Sequence, residues 1–169
     1  MYATDGFSNM ELIIREMEAG EAKAVQALGI KCFLRSFEGA YVPRPKTACI
    51  ALMGGEVVGG FLYALESCGK KKLGIIDFFF VDPKHAGQGI GRALCKEGVS
   101  QMWAEGCDYL ATFVRDDNVG SWSAFQAAGL KSVSLPKVYL SNPYGGLNQR
   151  LPRGLSTLLG FLPLPSLLK

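Results

Sequence analysis

The chain has 169 residues, 49% hydrophobic and 20% charged, which suits one ordinary globular domain able to bury a full core. Its 18 basic and 15 acidic residues leave a formal charge of +3, and the densest basic cluster is only Lys70-Lys71-Lys72, so a nucleic-acid partner is not expected. Five cysteines, an odd number without a C-x-x-C pair, argue against a zinc site or a disulfide framework; no metal is expected, and reduced thiols point to a cytoplasmic location. The opening residues carry no signal-peptide pattern, and no apolar run reaches the roughly 18 residues of a membrane span, so a membrane role is not expected either.

Glu11 to Arg15 has strand composition, and Ala22, Val25, Leu28 and Cys32 then recur at helical spacing between Ala19 and Phe33. An irregular stretch, Leu34 to Lys46, follows. Ala48 to Met53 and Val57 to Leu65 flank Gly54-Gly55-Glu56 in the pattern of a β-hairpin. Leu73 to Val81 is apolar except for Gly74 and Asp77, which predicts a strand at the sheet centre buried on both faces. Asp82-Pro83 ends it. Ile90, Ala93, Leu94, Gly98, Met102 and Trp103 repeat at helical spacing up to Gly106, and Tyr109 to Val114 resumes strand composition, completing a β-α-β unit. Asp117 or Asn118 caps a helix carrying Val119, Trp122 and Phe125 up to Ala128-Gly129, and Leu130 to Leu135 reads as a further strand. Antiparallel strands followed by a crossover predict an α/β (α+β) mixed sheet.

Beyond Tyr139 the character changes, with Leu155, Leu158, Leu159, Phe161, Leu162, Leu164, Leu167 and Leu168 crowding the end. Leaving eight large apolar side chains in water forgoes roughly 12 to 24 kcal/mol, so they must pack on something. The sheet of the domain, a partner subunit and a membrane surface assisted by Arg150 and Arg153 are the candidates. The expected division is a domain over residues 1–141 and an apolar extension over 142–169, with homodimerisation through the extension as the hypothesis.

Gly87, Gly89 and Gly91, set between a buried strand and a helix, let the backbone turn sharply and aim free N–H groups at a ligand, with the helix macrodipole, Lys84 and Arg92 adding positive charge. Phosphate is the chemistry such a loop attracts. The dinucleotide fingerprint would need a third glycine at Leu94, and a Walker A loop would need Gly-Lys-Ser/Thr, which does not occur.

Phe80-Val81-Asp82-Pro83 followed by Gly87-Gln88-Gly89-Ile90-Gly91-Arg92-Ala93-Leu94 resembles motif A of the GNAT acetyltransferase superfamily. Asn118 with Ser121, and Phe125 through Ala128-Gly129-Leu130, looks like that family's next helix and strand entry. The resemblance implies the GNAT fold: a mostly antiparallel sheet whose central parallel pair splays at the cofactor site. It implies acetyl-CoA as co-substrate. Phe80 and Val81 would pair with the pantetheine amides, Gly87, Gln88, Gly89, Ile90, Gly91 and Arg92 would hold the pyrophosphate, and Asn118 would contact the arm near its sulfur. Two positions depart from the family pattern: Ala86 stands where Arg or Gln is usual, and Phe125 where many relatives carry a Tyr that protonates the leaving thiolate.

Attack on a thioester needs a neutral amine, and a free alkylamine with pKa ~10.4 is neutral in only about 1 molecule in 2,500 at pH 7. Asp77, four residues before Val81, resembles the acidic position that several family members use as general base, and the backbone N–H near Val81 is the candidate donor to the developing oxyanion. Tyr139 and Tyr144 are candidates to protonate the thiolate. His85 reads as a loop histidine, Cys95 as core packing, and acceptor contacts fall to Leu34 to Lys46, with Arg35, Phe37, Glu38 and Tyr41. The leading expectation is an N-acetyltransferase acting on a small-molecule or peptide amine by direct attack in a ternary complex. The alternatives are a coenzyme A-binding module without catalysis and a nicotinamide-binding oxidoreductase.

Overall fold

The structure, a computed structural model, describes residues 11–33, 42–115, 117–133 and 155–161. Arg35, Phe37, Glu38, Tyr41, Tyr139, Tyr144, Arg150 and Arg153 lie outside the described residues. Strand β1 (Leu12–Glu16) leads through a single 3-10 turn into helix α1 (Ala22–Cys32). Arg15 clamps the Glu21 carboxylate with two bonds of 2.9 and 2.7 Å, and Glu21 also accepts from the Glu18 backbone N–H, so the entry into α1 is fixed from both sides.

Strands β2 (Ala48–Met53) and β3 (Glu56–Cys68) form the expected hairpin. Its turn residues Gly54 and Gly55 both have positive φ, 57° and 83°, the geometry a two-residue hairpin turn requires. Strand β4 (Lys71–Val81) is followed by helix α2 (Ile90–Ala104), strand β5 (Tyr109–Arg115), helix α3 (Val119–Ala127) and the short strand β6 (Lys131–Val133). The tail supplies strand β7 (Leu155–Phe161).

The seven strands form one sheet in the order β1-β2-β3-β4-β5-β7-β6. Every neighbouring pair is antiparallel except β4 and β5, which are parallel as the β-α-β crossover dictates. Part of the apolar tail therefore lies inside the sheet, with β7 pairing β5 on one side and β6 on the other.

Each face of the sheet carries a core. Helices α2 and α3 cover one face through Leu94, Val99, Met102, Ala124 and Phe125 on Phe61, Tyr63, Ile76 and Leu110. Helix α1 covers the other through Val25 and Leu28 on Ile50, Leu62 and Phe80. The thiols of Cys49 and Cys95 are buried in the first core, and burial pushes both up to about 12, so they are packing groups rather than nucleophiles.

Two irregularities in β4 position the site. The register against β3 passes from Leu62↔Phe78 to Tyr63↔Ile76, so Asp77 is the extra residue of a β-bulge. The pairing with β5 runs only from Leu73↔Tyr109 to Ile76↔Thr112, so the two parallel strands part after that rung. Buried Thr112 sits at the parting point, where its hydroxyl donates 3.0 Å to the Ile76 carbonyl. The expectation that β4 is buried on both faces is corrected here: Gly74, Ile76 and Phe80 are buried, whereas Asp77 is exposed, because the bulge lifts it out of the ladder.

Candidate functional site

Beyond the parting of β4 and β5 lies a cleft of about 520 Å³, walled by the end of β4, the glycine loop, the start of α2, the start of α3 and the end of α1. Past the bulge, side chains alternate cleanly across the sheet. Phe79 and Val81 pack towards α2, and Phe78 and Phe80 pack towards α1. The cleft thus has walls from both faces.

The glycine loop is built by its leading turn. Asp82 caps a 3-10 turn over Pro83–His85 by accepting from the Lys84 N–H at 3.0 Å, and its other oxygen takes Lys31 Nζ at 2.8 Å. Lys31 and the Lys84 N–H together hold the Asp82 carboxyl below the ordinary carboxylate range, with Lys31 the larger cause. Gly87 and Gly89 then both take φ of 78°, a left-handed conformation that β-branched or bulky side chains rarely tolerate.

Helix α2 starts from Gly89, which has no side chain of its own to cap it, and no side-chain cap is present among the described residues. Its first intrahelical bond is Ala93 N–H to Gly89 O at 3.1 Å, which leaves the N–H groups of Ile90, Gly91 and Arg92 without helical acceptors. Gly91 faces β4, where a Cβ would meet Phe79 at 3.5 Å and Val81 at 3.6 Å, ordinary van der Waals contact, so packing on the strand does not itself demand glycine there. Among the described residues Arg92 has no ion-pair partner, so its guanidinium is available to an anion. The donor set suits a pyrophosphate: N–H groups without helical acceptors, a helix dipole and an exposed cation.

Across the cleft, Asn118 caps α3, its Oδ1 accepting from the Ser121 N–H at 3.1 Å, which fixes the side chain at the cleft wall. The rest of that wall is small, with Gly120, Ser121 and Ser123. On the α1 side, Cys32 and Phe33 close the cleft, the Cys32 thiol donating to Val81 O at 3.6 Å.

Eight of the residues expected from the sequence come together here: Phe80, Val81, Gly87, Gly89, Ile90, Gly91, Arg92 and Asn118 all line the cleft. Gln88 and Asp77 do not. Gln88 is exposed and does not line the cleft, and Asp77 stands at the bulge, one residue past the last β4–β5 rung. Partial loss of hydration raises the Asp77 pKa, with the charge of Glu66 a smaller cause. His85, read from sequence as a solvated loop residue, also lines the cleft and is half-buried. Phe125 lies beneath the cleft wall, buried against Phe79 at 5.3 Å and Phe61 at 6.4 Å between ring centroids. It carries no ionisable group to offer.

Cys32 and Phe33 were not legible as site residues because they reach Val81 and Phe80 only through the tertiary packing of α1. The small residues of α3 could have been found: Gly120, Ser121 and Ser123 leave one side of that helix without bulk directly after its cap.

A mixed sheet with one parallel pair that parts over an uncapped helix N-terminus is an acyltransferase architecture, and the chain belongs to the acetyltransferase (GNAT) family, whose family model matches residues 12–130. Among curated proteins no sequence match is found. Solved structures match over nearly the whole chain. A chain of the NatC complex bound to Gag peptide and CoA is 13% identical with a TM-score of 0.66, covering 90% of this chain and 99% of that one. Ard1 from Thermoplasma volcanium is 19% identical, TM-score 0.62, with coverage of 89% and 97%. The structure of yncA from Salmonella typhimurium with its cofactor acetyl-CoA is 13% identical, TM-score 0.65, with coverage of 92% and 96%. At these identities the likeness establishes the fold.

Proposed function

We propose that this chain is an N-acetyltransferase that moves an acetyl group from acetyl-CoA to a small-molecule or peptide amine by direct attack in a ternary complex. The observation that carries the reading is the parting of β4 from β5 directly beside the uncapped N-terminus of α2. It joins a slot with unpaired strand backbone to a phosphate cradle in one cleft. The donors fit acetyl-CoA, and the descriptions of several structural neighbours name CoA or acetyl-CoA. When bound, acetyl-CoA supplies the activated acyl group.

In this reading the N–H groups at the start of α2, with Arg92, hold the pyrophosphate, and β4 backbone at Phe80 and Val81 orients the pantetheine arm. A β4 N–H near Val81 donates to the carbonyl oxygen as negative charge develops there, a role that a fixed dipole in a sheltered slot performs well. Asn118 steadies the arm near its sulfur. Asp77 accepts the ammonium proton through water, since it stands outside the cleft itself. With Phe125 at the usual Tyr position, the leaving thiolate takes its proton from water or from a residue outside the described set. The thiols of Cys32, Cys49, Cys95 and Cys107 are free, as a reducing, cytoplasmic setting would leave them.

The test is calorimetry followed by turnover. We expect acetyl-CoA and CoA to bind and NAD not to, and thiol release to appear with at least one member of a panel of amino acids, polyamines, lysine peptides and peptide N-termini. CoA binding without thiol release from any amine would instead establish the non-catalytic binding module.

A further inference from the structure

The α1-side wall of the cleft is aromatic and unusually well braced. Phe80 is 5% exposed, and its ring fills space that two glycines leave open: a Cβ at Gly29 would lie 3.0 Å from the ring and a Cβ at Gly60 only 2.6 Å. Phe80 therefore has nowhere to retreat. Phe33 stands edge-on to it, with centroids 6.1 Å apart at 85°, and edge-on to Phe78 at 5.8 Å and 67°.

Phe33 directly follows the last residue of α1, and three contacts hold that end of the helix on β4. Its own N–H donates to Gly29 O at 3.1 Å, Cys32 donates to Val81 O at 3.6 Å, and Lys31 pairs with Asp82 at 2.8 Å. The ring is thus fixed on the α1-side wall of the cleft that Val81 also lines, where the reading above puts the reacting carbonyl.

We propose that Phe33 limits the length of the acyl group that a CoA donor can carry, favouring short acyl thioesters over long ones. The inference rests on the acyl-donor reading of the cleft and adds the identity of the residue that limits it. An acyl chain extending past Val81 towards α1 runs into the wall that Cys32 and Phe33 form, and Phe33 supplies its bulk. Phe80, wedged between Gly29 and Gly60, cannot yield to make room. Phe33 is the only member of the pair whose removal opens space without collapsing the strand, because its ring hangs from a helix end while that of Phe80 fills the core between α1 and the sheet.

The experiment is a calorimetric acyl-length series, CoA, acetyl-, propionyl-, butyryl- and hexanoyl-CoA, on the wild type, Phe33→Ala and Phe33→Leu. In the wild type hexanoyl-CoA should bind about ten-fold or more weaker than acetyl-CoA, and Phe33→Ala should bring the two within about two-fold while leaving CoA itself little changed. Phe33→Leu, which keeps an apolar cover on the helix end, should fall between and serves where the alanine variant does not fold. A flat acyl profile in the wild type, or a profile that neither variant moves, overturns the proposal. Failure of plain CoA to bind the wild type overturns the donor reading with it, whereas CoA binding with a flat profile overturns the Phe33 assignment alone.

Discussion

Asp77 carries two opposed consequences of one placement. As the extra residue of the β4 bulge it escapes the ladder and reaches water, yet partial loss of hydration and the nearby charge of Glu66 raise its pKa. A carboxyl whose folded pKa lies above its unfolded value binds more protons folded than unfolded between the two. Its ionised form therefore weakens the fold, and stability falls as pH rises from the ordinary carboxylate value through the raised one. Catalysis needs the reverse, since a base acts only when ionised, so turnover should rise with pH over the same interval. Asp77→Asn separates the two. It should cut turnover by about 10²-fold or more and remove the acidic limb of the pH–rate profile, while unfolding in urea at pH 7 is no easier than for the wild type. Unchanged turnover across pH would remove Asp77 from the reaction and leave the bulge as a feature of the sheet alone.

At the scale of elements, α2 lies tight on the sheet where Gly98 faces Phe61. A Cβ at Gly98 would lie 2.5 to 2.7 Å from three atoms of the ring, and the ring is wholly buried among Tyr63, Phe79 and Phe125. Gly98→Ala gains about 1 kcal/mol of helix propensity but forces an overlap whose cost lies near the upper end of about 1–3 kcal/mol, so a net loss of roughly 2 kcal/mol is expected in urea unfolding. In a Phe61→Leu background the same change should cost markedly less, because the two sites share one space. The sequence made the helix legible, since Ile90, Leu94, Gly98 and Met102 recur at its period, and it made the hairpin legible through Gly54-Gly55. The contact itself was not legible, because Gly98 reads locally as a weak helix residue and only Phe61, far along the chain, gives it a purpose. The bulge was hidden for a similar reason. Asp77 interrupts an apolar run without changing its composition, and the slip of one residue exists only in the pairing with β3. The phosphate loop, by contrast, is local from end to end, and the eight cleft residues that sequence anticipated come mainly from it and from the strand before it.

Across the whole molecule, the sheet depends on a segment far from the rest of it in sequence. Strand β5 is held to β4 over four rungs only, Leu73↔Tyr109 to Ile76↔Thr112, because the strands part at the cleft. Its other edge is paired to β7 along seven rungs, from Tyr109↔Phe161 to Arg115↔Leu155. The parting that admits a ligand is thus compensated on the far side of β5, and among the described residues β6 joins the sheet through β7 alone. A chain ending at Gly146 removes β7 whole. Strand β5 then presents an unpaired edge, β6 loses its one neighbour among the described strands, and α3, which runs between them, is left leading into a strand with no sheet to join. Exposed edges of this kind template association between chains, so the truncated protein should aggregate or unfold with a broad, weakly cooperative transition, and its affinity for acetyl-CoA should fall with the wall that α3 provides. Size-exclusion chromatography, thermal unfolding and acetyl-CoA calorimetry on the full and shortened chains check this together. A soluble truncation of unchanged melting temperature that still binds acetyl-CoA would mean that β4 and the α2–β5 crossover hold β5 unaided, and that the tail serves another purpose, of which contact with a second copy of the chain is then the first to measure, by the difference in native mass between the two proteins.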